Sequence, residues 1–310
     1  MTEDEAYAKF KAVRFEENGG KPFCPRCGSC EASEIKNRKF FSCKGCWKQF
    51  SVTSGTIFAS RKLQFRDLLL AIAIFANGVK GHSALQLSRE LQVQYKTAFV
   101  LLHKIREAIG AEQDFHDLGG HVEIDGAYYG GKLRKANWAK NRRDRRRAEN
   151  QNGKKRVMVV VREVGGRTMP LGVYREEWDA HADILNRVHP ATEVHMDEAR
   201  HWDSIEHKFR LVERINHQEA YSNGQACTNW VESFHMRVRR AERGIHHHVS
   251  GPYLLAYGRE MAWREDHRRK GNGEQFEMML HAVTHHPVSR RWKGYWQRRA
   301  SDGRPKWWLI

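Results

Sequence analysis

Apolar and polar positions along the chain fall into two regimes that change near Gly119. Before that point the spacing is helical. Asp67 to Ala76 is almost wholly apolar and stops at Asn77-Gly78, a helix-ending signal. Ser83 stands where it would cap a short helix running to Leu91. Gln92-Val93-Gln94 then makes a turn, and a second helix begins at Tyr95; Leu87, Leu91, Val93, Ala98, Leu101 and Leu102 would form the core shared by the pair. After Gly119 the pattern turns to strands. His121 to Tyr129 reads as a strand closed by Gly130-Gly131, and Val157 to Val164 as a continuous apolar strand. Gly165-Gly166-Arg167 reads as a hairpin turn leading into a third strand, Met169 to Tyr174. A helix over about Ala180 to Arg187 leads to a short strand, Glu193 to Asp197, expected to lie parallel to the first. A later helix carries Trp230, Phe234 and Val238 four positions apart.

Charge changes the reading of the helix pair. Lys and Arg number 54 against 37 acids in 310 residues, a net +17, which implies a polyanionic partner because each phosphate contact releases condensed counterions. The pair then reads as a helix-turn-helix, with Tyr95, Lys96 and Thr97 at the end of the second helix that meets bases and phosphates; the alternative is a plain helical hairpin. Lys132 to Arg147 carries nine basic residues and one acid, Asp144, without apolar periodicity. With Trp138 interleaved, it reads as a loop that contacts a DNA backbone through Lys140, Arg142 and Arg143, against a merely solvated loop. After Arg269 the chain is basic and aromatic, from His285 to Arg299 and on to Trp307-Trp308. It is expected to stack on DNA, to meet a second protomer, or to pack on its own domain. The longest apolar run, Leu68 to Ala76, has nine residues, about half of what a membrane-spanning helix needs. The acidic start, Met1 to Ala6, lacks the layout of a signal peptide, so an intracellular protein is expected.

Five of the six cysteines lie between Cys24 and Cys46. Cys24-Pro25-Arg26-Cys27 and Cys43-Lys44-Gly45-Cys46 are two C-x2-C pairs separated by 15 residues, the spacing of a closed, structural zinc ribbon. Cys30, a third cysteine beside the first pair, reads as a spare thiol, with replacement of Cys27 as the alternative, and Cys227 reads as a small buried apolar residue rather than a nucleophile.

Three carboxylates end three local patterns: Asp125 in the first strand, Asp197 in the fourth, and Glu232 on the late helix. A β-β-β-α-β order is what an RNase H-like core would give, with Asp125 and Asp197 on neighbouring central strands. Acids from several elements suit two hard divalent ions, one activating an attacking oxygen and the other stabilising a leaving oxygen.

These motifs together resemble the DDE class of bacterial insertion-sequence transposases, in the ISXO-like group. The resemblance rests on Cys24-Pro25-Arg26-Cys27-Gly28, Gln49 to Thr56, Ser83 to Leu87, Val122 to Gly131 and Asn229 to Ser233, and it runs from about Phe10 to about Arg269. It implies a multidomain α/β chain. Its expected parts are an N-terminal helix and zinc ribbon (1–60), a helix-turn-helix segment (61–118), an RNase H-like mixed-sheet core (119–270, with a basic insertion at 132–156) and a basic aromatic tail (271–310). It implies Asp125, Asp197 and Glu232 as catalytic ligands for Mg2+ or Mn2+, as two ions, beside a structural Zn2+ on Cys24, Cys27, Cys43 and Cys46. Asn229 is a rival or an auxiliary to Glu232, since some relatives use Asn as the third ligand. Arg239, seven after Glu232, stands where relatives have a basic residue that touches the element end. The partners implied are double-stranded DNA, as element ends and as target, and further copies of the chain in a homodimer or larger synaptic assembly in the bacterial cytoplasm. Rival readings are a DNA-binding regulator derived from such an enzyme, and a metal-dependent nuclease that cuts without joining.

Overall fold

The computed structural model describes residues 1–111, 117–131, 135–144, 147–150, 153–215 and 227–297. In chain order its elements are α1 (Glu3–Arg14), β1 (Ala32–Ile35), β2 (Phe40–Cys43), β3 (Gln49–Ser51), α2 (Phe65–Asn77), α3 (Ala84–Glu90) and α4 (Tyr95–Ala111). Then come β4 (His121–Tyr129), β5 (Arg156–Glu163), β6 (Thr168–Tyr174), α5 (His181–Arg187), β7 (Glu193–Asp197), α6 (Asp203–Glu206), β8 (Leu211–Ile215), α7 (Asn229–Ala241), α8 (Gly251–Asp266) and α9 (Asn272–His285). They form two compact units, one N-terminal and joined by the chain beyond Arg269, the other spanning β4 to α8.

In the first unit, α1 starts on a capping box in which Thr2 and Glu5 satisfy each other's backbone N–H. The neighbouring acid, Glu3, accepts from the N–H groups of Phe65 and Arg66, both at 2.9 Å, and so caps α2 from another helix. Strands β1, β2 and β3 form a small antiparallel sheet whose Phe41 and Phe50 rings stack 5.2 Å apart. The Ser83 hydroxyl caps α3 as the sequence predicts, accepting the Gln86 N–H at 3.1 Å. Between α3 and α4 the chain turns on a Schellman motif. Gln92 takes the left-handed conformation (φ 54°), the Val93 N–H reaches the Ser88 carbonyl at 2.9 Å, and the Gln92 N–H reaches that of Arg89 at 3.3 Å. A non-glycine residue there costs about 1–2 kcal/mol.

The C-terminal stretch belongs to this unit. Helix α9 packs on α1, α2 and α4, and its exit is tied by a bond from the Ile57 N–H to the His286 carbonyl. Trp292 stacks on His103 of α4 at 4.3 Å, and the Trp296 indole donates to the Lys96 carbonyl at 3.2 Å. Of the three uses open to the aromatic segment, these residues take packing on their own unit. Trp307 and Trp308 lie outside the described residues.

The second unit is built on a five-stranded sheet of order β6-β5-β4-β7-β8. The first three strands are antiparallel, and β7 and β8 run parallel to β4, as an RNase H-like core requires. Both faces are covered, which explains why β5 reads as an unbroken apolar run. Val122, Ile124, Val159, Val194 and Met196 point to the side of α5 and Trp202. Ala127, Tyr129, Met158 and Val160 point to the side of α7 and α8. Gly258 lets α8 lie close on β5, because a Cβ there would overlap the Met158 sulfur.

Helices α7 and α8 are joined to β5 by buried charge. Glu265 of α8 pairs with Arg162 of β5 at 2.7 Å, with Arg237 of α7 and with Arg268. Removing the acid strands these guanidiniums, two of them partly exposed, and removing one partner of a buried pair costs about 3–5 kcal/mol. Glu265→Ala is therefore expected to destabilise the protein by an amount of that order in urea denaturation followed by far-UV dichroism. A loss of less than about 1 kcal/mol would remove the cluster from the stabilising contacts.

Candidate active site

Alternation along β4 places His121, Glu123 and Asp125 on the face that α7 covers, since Val122 and Ile124 go to the opposite core. The parallel register with β7 sets Glu193, His195 and Asp197 beside them on the same face. Asp197 closes β7 and is fixed from outside its strand. Its Oδ1 accepts the Trp202 indole N–H at 2.7 Å and the Ala199 N–H at 3.3 Å. Arg214 of β8 holds the same turn, donating to the Asp197 and Ala199 carbonyls.

Glu232 depends on where α7 begins. Thr228, the residue before the helix, does not cap it through its side chain. Glu123 does: its Oε2 accepts the N–H groups of Trp230 and Val231 at 2.8 and 2.9 Å, and its Oε1 accepts the Cys227 thiol at 3.4 Å. A carboxylate at a helix N-terminus is favoured by both the hydrogen bonds and the helix dipole. Arg162, directly opposite Glu123 in the sheet, donates to the Trp230 carbonyl at 2.9 Å. With the first turn held, Val231, Phe234 and Val238 pack on the core. Glu232, His235 and Arg239 lie three, then four, positions apart along the same side of the helix.

Their chemistry converges on Asp125. His235 sets Nε2 3.4 Å from the Asp125 carbonyl and 3.8 Å from its Oδ2, while Nδ1 lies 3.0 Å from the Tyr129 hydroxyl. Burial pushes His235 down to about 4, so the ring is neutral at pH 7. The Arg239 guanidinium lies 5.8 Å over the Tyr129 ring. Burial, then the charge of Asp197, and then that of Glu232 push the Asp125 carboxyl up to about 7, against the opposing pull of the Gly126 N–H and Arg239. Asp125 therefore feels both other acids. The tight three-ligand clusters among the described residues lie elsewhere, so these carboxylates are spread more widely than a single-ion nest. An all-oxygen donor set suits Mg2+ or Mn2+. Asn229 is exposed in the first turn of α7, and the negative charge reaching Asp125 from that helix is that of Glu232.

In the first unit the sulfurs of Cys24, Cys27, Cys43 and Cys46 cluster within 4.8 Å, with Cys24–Cys46 at 3.7 Å and Cys27–Cys43 at 3.6 Å. Zinc–sulfur bonds of about 2.3 Å in a tetrahedron demand edges of about 3.8 Å, so the four thiols fit the ion. The two knuckles match. The N–H of Gly28 bonds to the Cys24 carbonyl and that of Trp47 to the Cys43 carbonyl, and both residues are left-handed (φ 74° and 59°). Cys30 is outside the cluster, beside Asn18. Tyr95, Lys96 and Thr97 are exposed at the start of α4, with the Lys96 ammonium 5.3 Å over the Trp296 ring. Lys140, Arg142 and Arg143 are exposed in the basic segment of the second unit, where Lys140 lies 6.0 Å over the ring of Trp138, itself 71% exposed. Residues 132–134, 145 and 146 of that segment lie outside the described residues.

Glu123, His235 and Trp202 escape a reading of the sequence alone. Glu123 has a signal there: strand alternation puts it on the same inward face as Asp125. His235 and Trp202 have none, because each is recognised only by what it touches.

Residues 1–49 match the transposase zinc-ribbon domain, and residues 117–266 match the ISXO2-like transposase domain. A Halobacterium salinarum protein, described as an uncharacterized protein in transposable element ISH50, is 25% identical over 269 residues, covering 83% of this chain and 90% of its own length. Residues 117–266 are thus similar to an ISXO2-like transposase domain, and they follow a segment, residues 1–49, similar to a transposase zinc ribbon.

Proposed function

We propose that the chain is a DNA transposase that binds the ends of its element, hydrolyses a phosphodiester at each end and joins the freed 3′-hydroxyl to target DNA. The observation that carries this reading is the parallel register that sets Asp197 of β7 beside Asp125 of β4, where the charges of Asp197 and of Glu232 on α7 both bear on Asp125. Asp125, Asp197 and Glu232 would hold two Mg2+ or Mn2+ ions, with Asp125 shared. Bound there, the ions would supply activation of the attacking oxygen and charge stabilisation of the leaving one. The chain's own groups set up that chemistry. Trp202 orients Asp197, Glu123 and Arg162 fix the turn that carries Glu232, and neutral His235 packs against Asp125 without competing for the cation. Arg239 would meet a DNA phosphate beside the site. Lys140, Arg142, Arg143 and the exposed Trp138 would track DNA backbone and stack on it. Tyr95, Lys96 and Thr97, with the zinc ribbon, would read the terminal repeats. Because two ends must be joined together, a dimer or larger assembly is expected.

Labelled element ends test the reaction. Cleavage and joined product are expected from the native chain, and cleavage without joining would make it a nuclease. Losing several kcal/mol of charge stabilisation slows a reaction at least about 100-fold, so Asp125→Asn, Asp197→Asn and Glu232→Gln should each do so while leaving end binding nearly intact. Full activity in Glu232→Gln would move the third ligand to Asn229.

Glu123→Gln tests the hold on α7. The amide cannot reproduce the carboxylate's charge, and the variant is expected to lose about 1–3 kcal/mol of stability. It should also raise the Mg2+ concentration that gives half-maximal cleavage. An unchanged Mg2+ midpoint would reduce Glu123 to a purely structural residue.

Replacing Cys24 and Cys43 together by Ser should release one equivalent of zinc and weaken end binding in a mobility-shift assay. Retention of that zinc would contradict the four-thiolate site.

A further inference from the structure

Glu17, His281 and His285 each present one ligand atom, and the three atoms lie within 4.8 Å of one another. The two histidines stand one turn apart on α9 and face the same side, their rings stacked at 4.1 Å with 24° between planes. Glu17 comes from the 3-10 turn Glu16–Asn18 that follows α1, with its Oε1 3.9 Å from His281 Nε2. The thiolate cluster and the acids of the second unit use none of these side chains.

The hydrogen bonds around His285 fix its tautomer. The Thr284 hydroxyl donates to the Leu280 carbonyl at 2.8 Å, so its 3.2 Å contact with His285 Nδ1 requires a proton on Nδ1. The His281 carbonyl, 2.9 Å from the same nitrogen, requires it too. Nε2 therefore carries the lone pair. That atom is shielded from solvent and has no hydrogen-bond partner. An imidazole whose Nδ1–H is spent on a backbone carbonyl and whose Nε2 lone pair is bare has the arrangement of a metal-ligating histidine. Two imidazoles with one carboxylate favour a borderline cation such as Zn2+ or Ni2+ over Mg2+.

We propose that Glu17, His281 and His285 form a second transition-metal site that staples α9 to the turn after α1. Glu17 and His281 are exposed, which gives an ion access from solvent. The residues just past the site already pair with the segment after the ribbon, through Ile57 to His286 and Thr56 to Pro287. An ion here would tie the same end of α9 to a second segment of the first unit, the turn after α1, and its binding energy would add to the stability of that unit.

The test is a calorimetric titration of the full chain with Ni2+, its ribbon loaded with zinc and Mg2+ in excess. The native chain is expected to take up one more equivalent than a His281→Ala/His285→Ala variant, and to gain in melting temperature where the variant does not. Glu17→Gln, at an exposed position that leaves folding undisturbed, should weaken that equivalent at least about tenfold, the scale of loss when even an outer partner of a metal site is removed. Equal uptake and equal affinity in the native chain and the double variant would overturn the site. Unchanged affinity in Glu17→Gln would remove the three-ligand assignment.

Discussion

The backbone of Trp230 is held at both of its polar groups by side chains that face each other across two strands. Glu123 of β4 accepts its N–H, and Arg162 of β5 donates to its carbonyl. Taking two such charges out of water costs several kcal/mol per ion unless further hydrogen bonds meet them. Here they are met. Glu123 also receives the Val231 N–H and the Cys227 thiol, and Arg162 also donates to Glu265. The pair sets where α7 begins, and therefore which of its faces looks at β4. Rotating that start by one residue, about 100°, would carry Glu232 off the side it shares with His235 and Arg239.

Glu3 repeats the device in the other unit by capping α2 from α1. These caps explain what the sequence shows and what it hides. Ser83 and its helix are legible because donor and acceptor are three residues apart, and the cysteine knuckles because each closes on itself. The bounds of β4 and β7 follow from the apolar pattern and match the structure. Glu3 and Glu123 cap helices through N–H groups 62 and 107 positions away, so no local window contains the pair. Helix α8 is hidden for another reason. It buries Glu260, Arg264 and Glu265, and buried charge erases the polar face that marks an amphipathic helix. Strand β8 is weakly marked because it is an edge, with Leu211 at its start exposed.

The acids themselves are legible as residues, and their arrangement only in part. Asp125 and Asp197 become neighbours through the parallel register of β4 with β7, which the strand pattern anticipates. Glu232 joins them through the hold on Trp230, which it does not. The aromatic segment after α9 shows the same limit. Composition leaves DNA, a second protomer and the chain's own domain open, and the structure shows Trp292 stacked on His103 of its own unit.

Two carboxylates on one face of β4, two residues apart, meet opposite fates. Burial raises both. Glu123 has donors on every side, and its charge is used up in holding a helix. Asp125 has the N–H of its own neighbour and the more distant Arg239, while Asp197 and Glu232 press negative charge on it. The contrast along a single strand separates the acid that builds the scaffold from the acid the scaffold leaves in need of a positive partner, and it does so without reference to any relative.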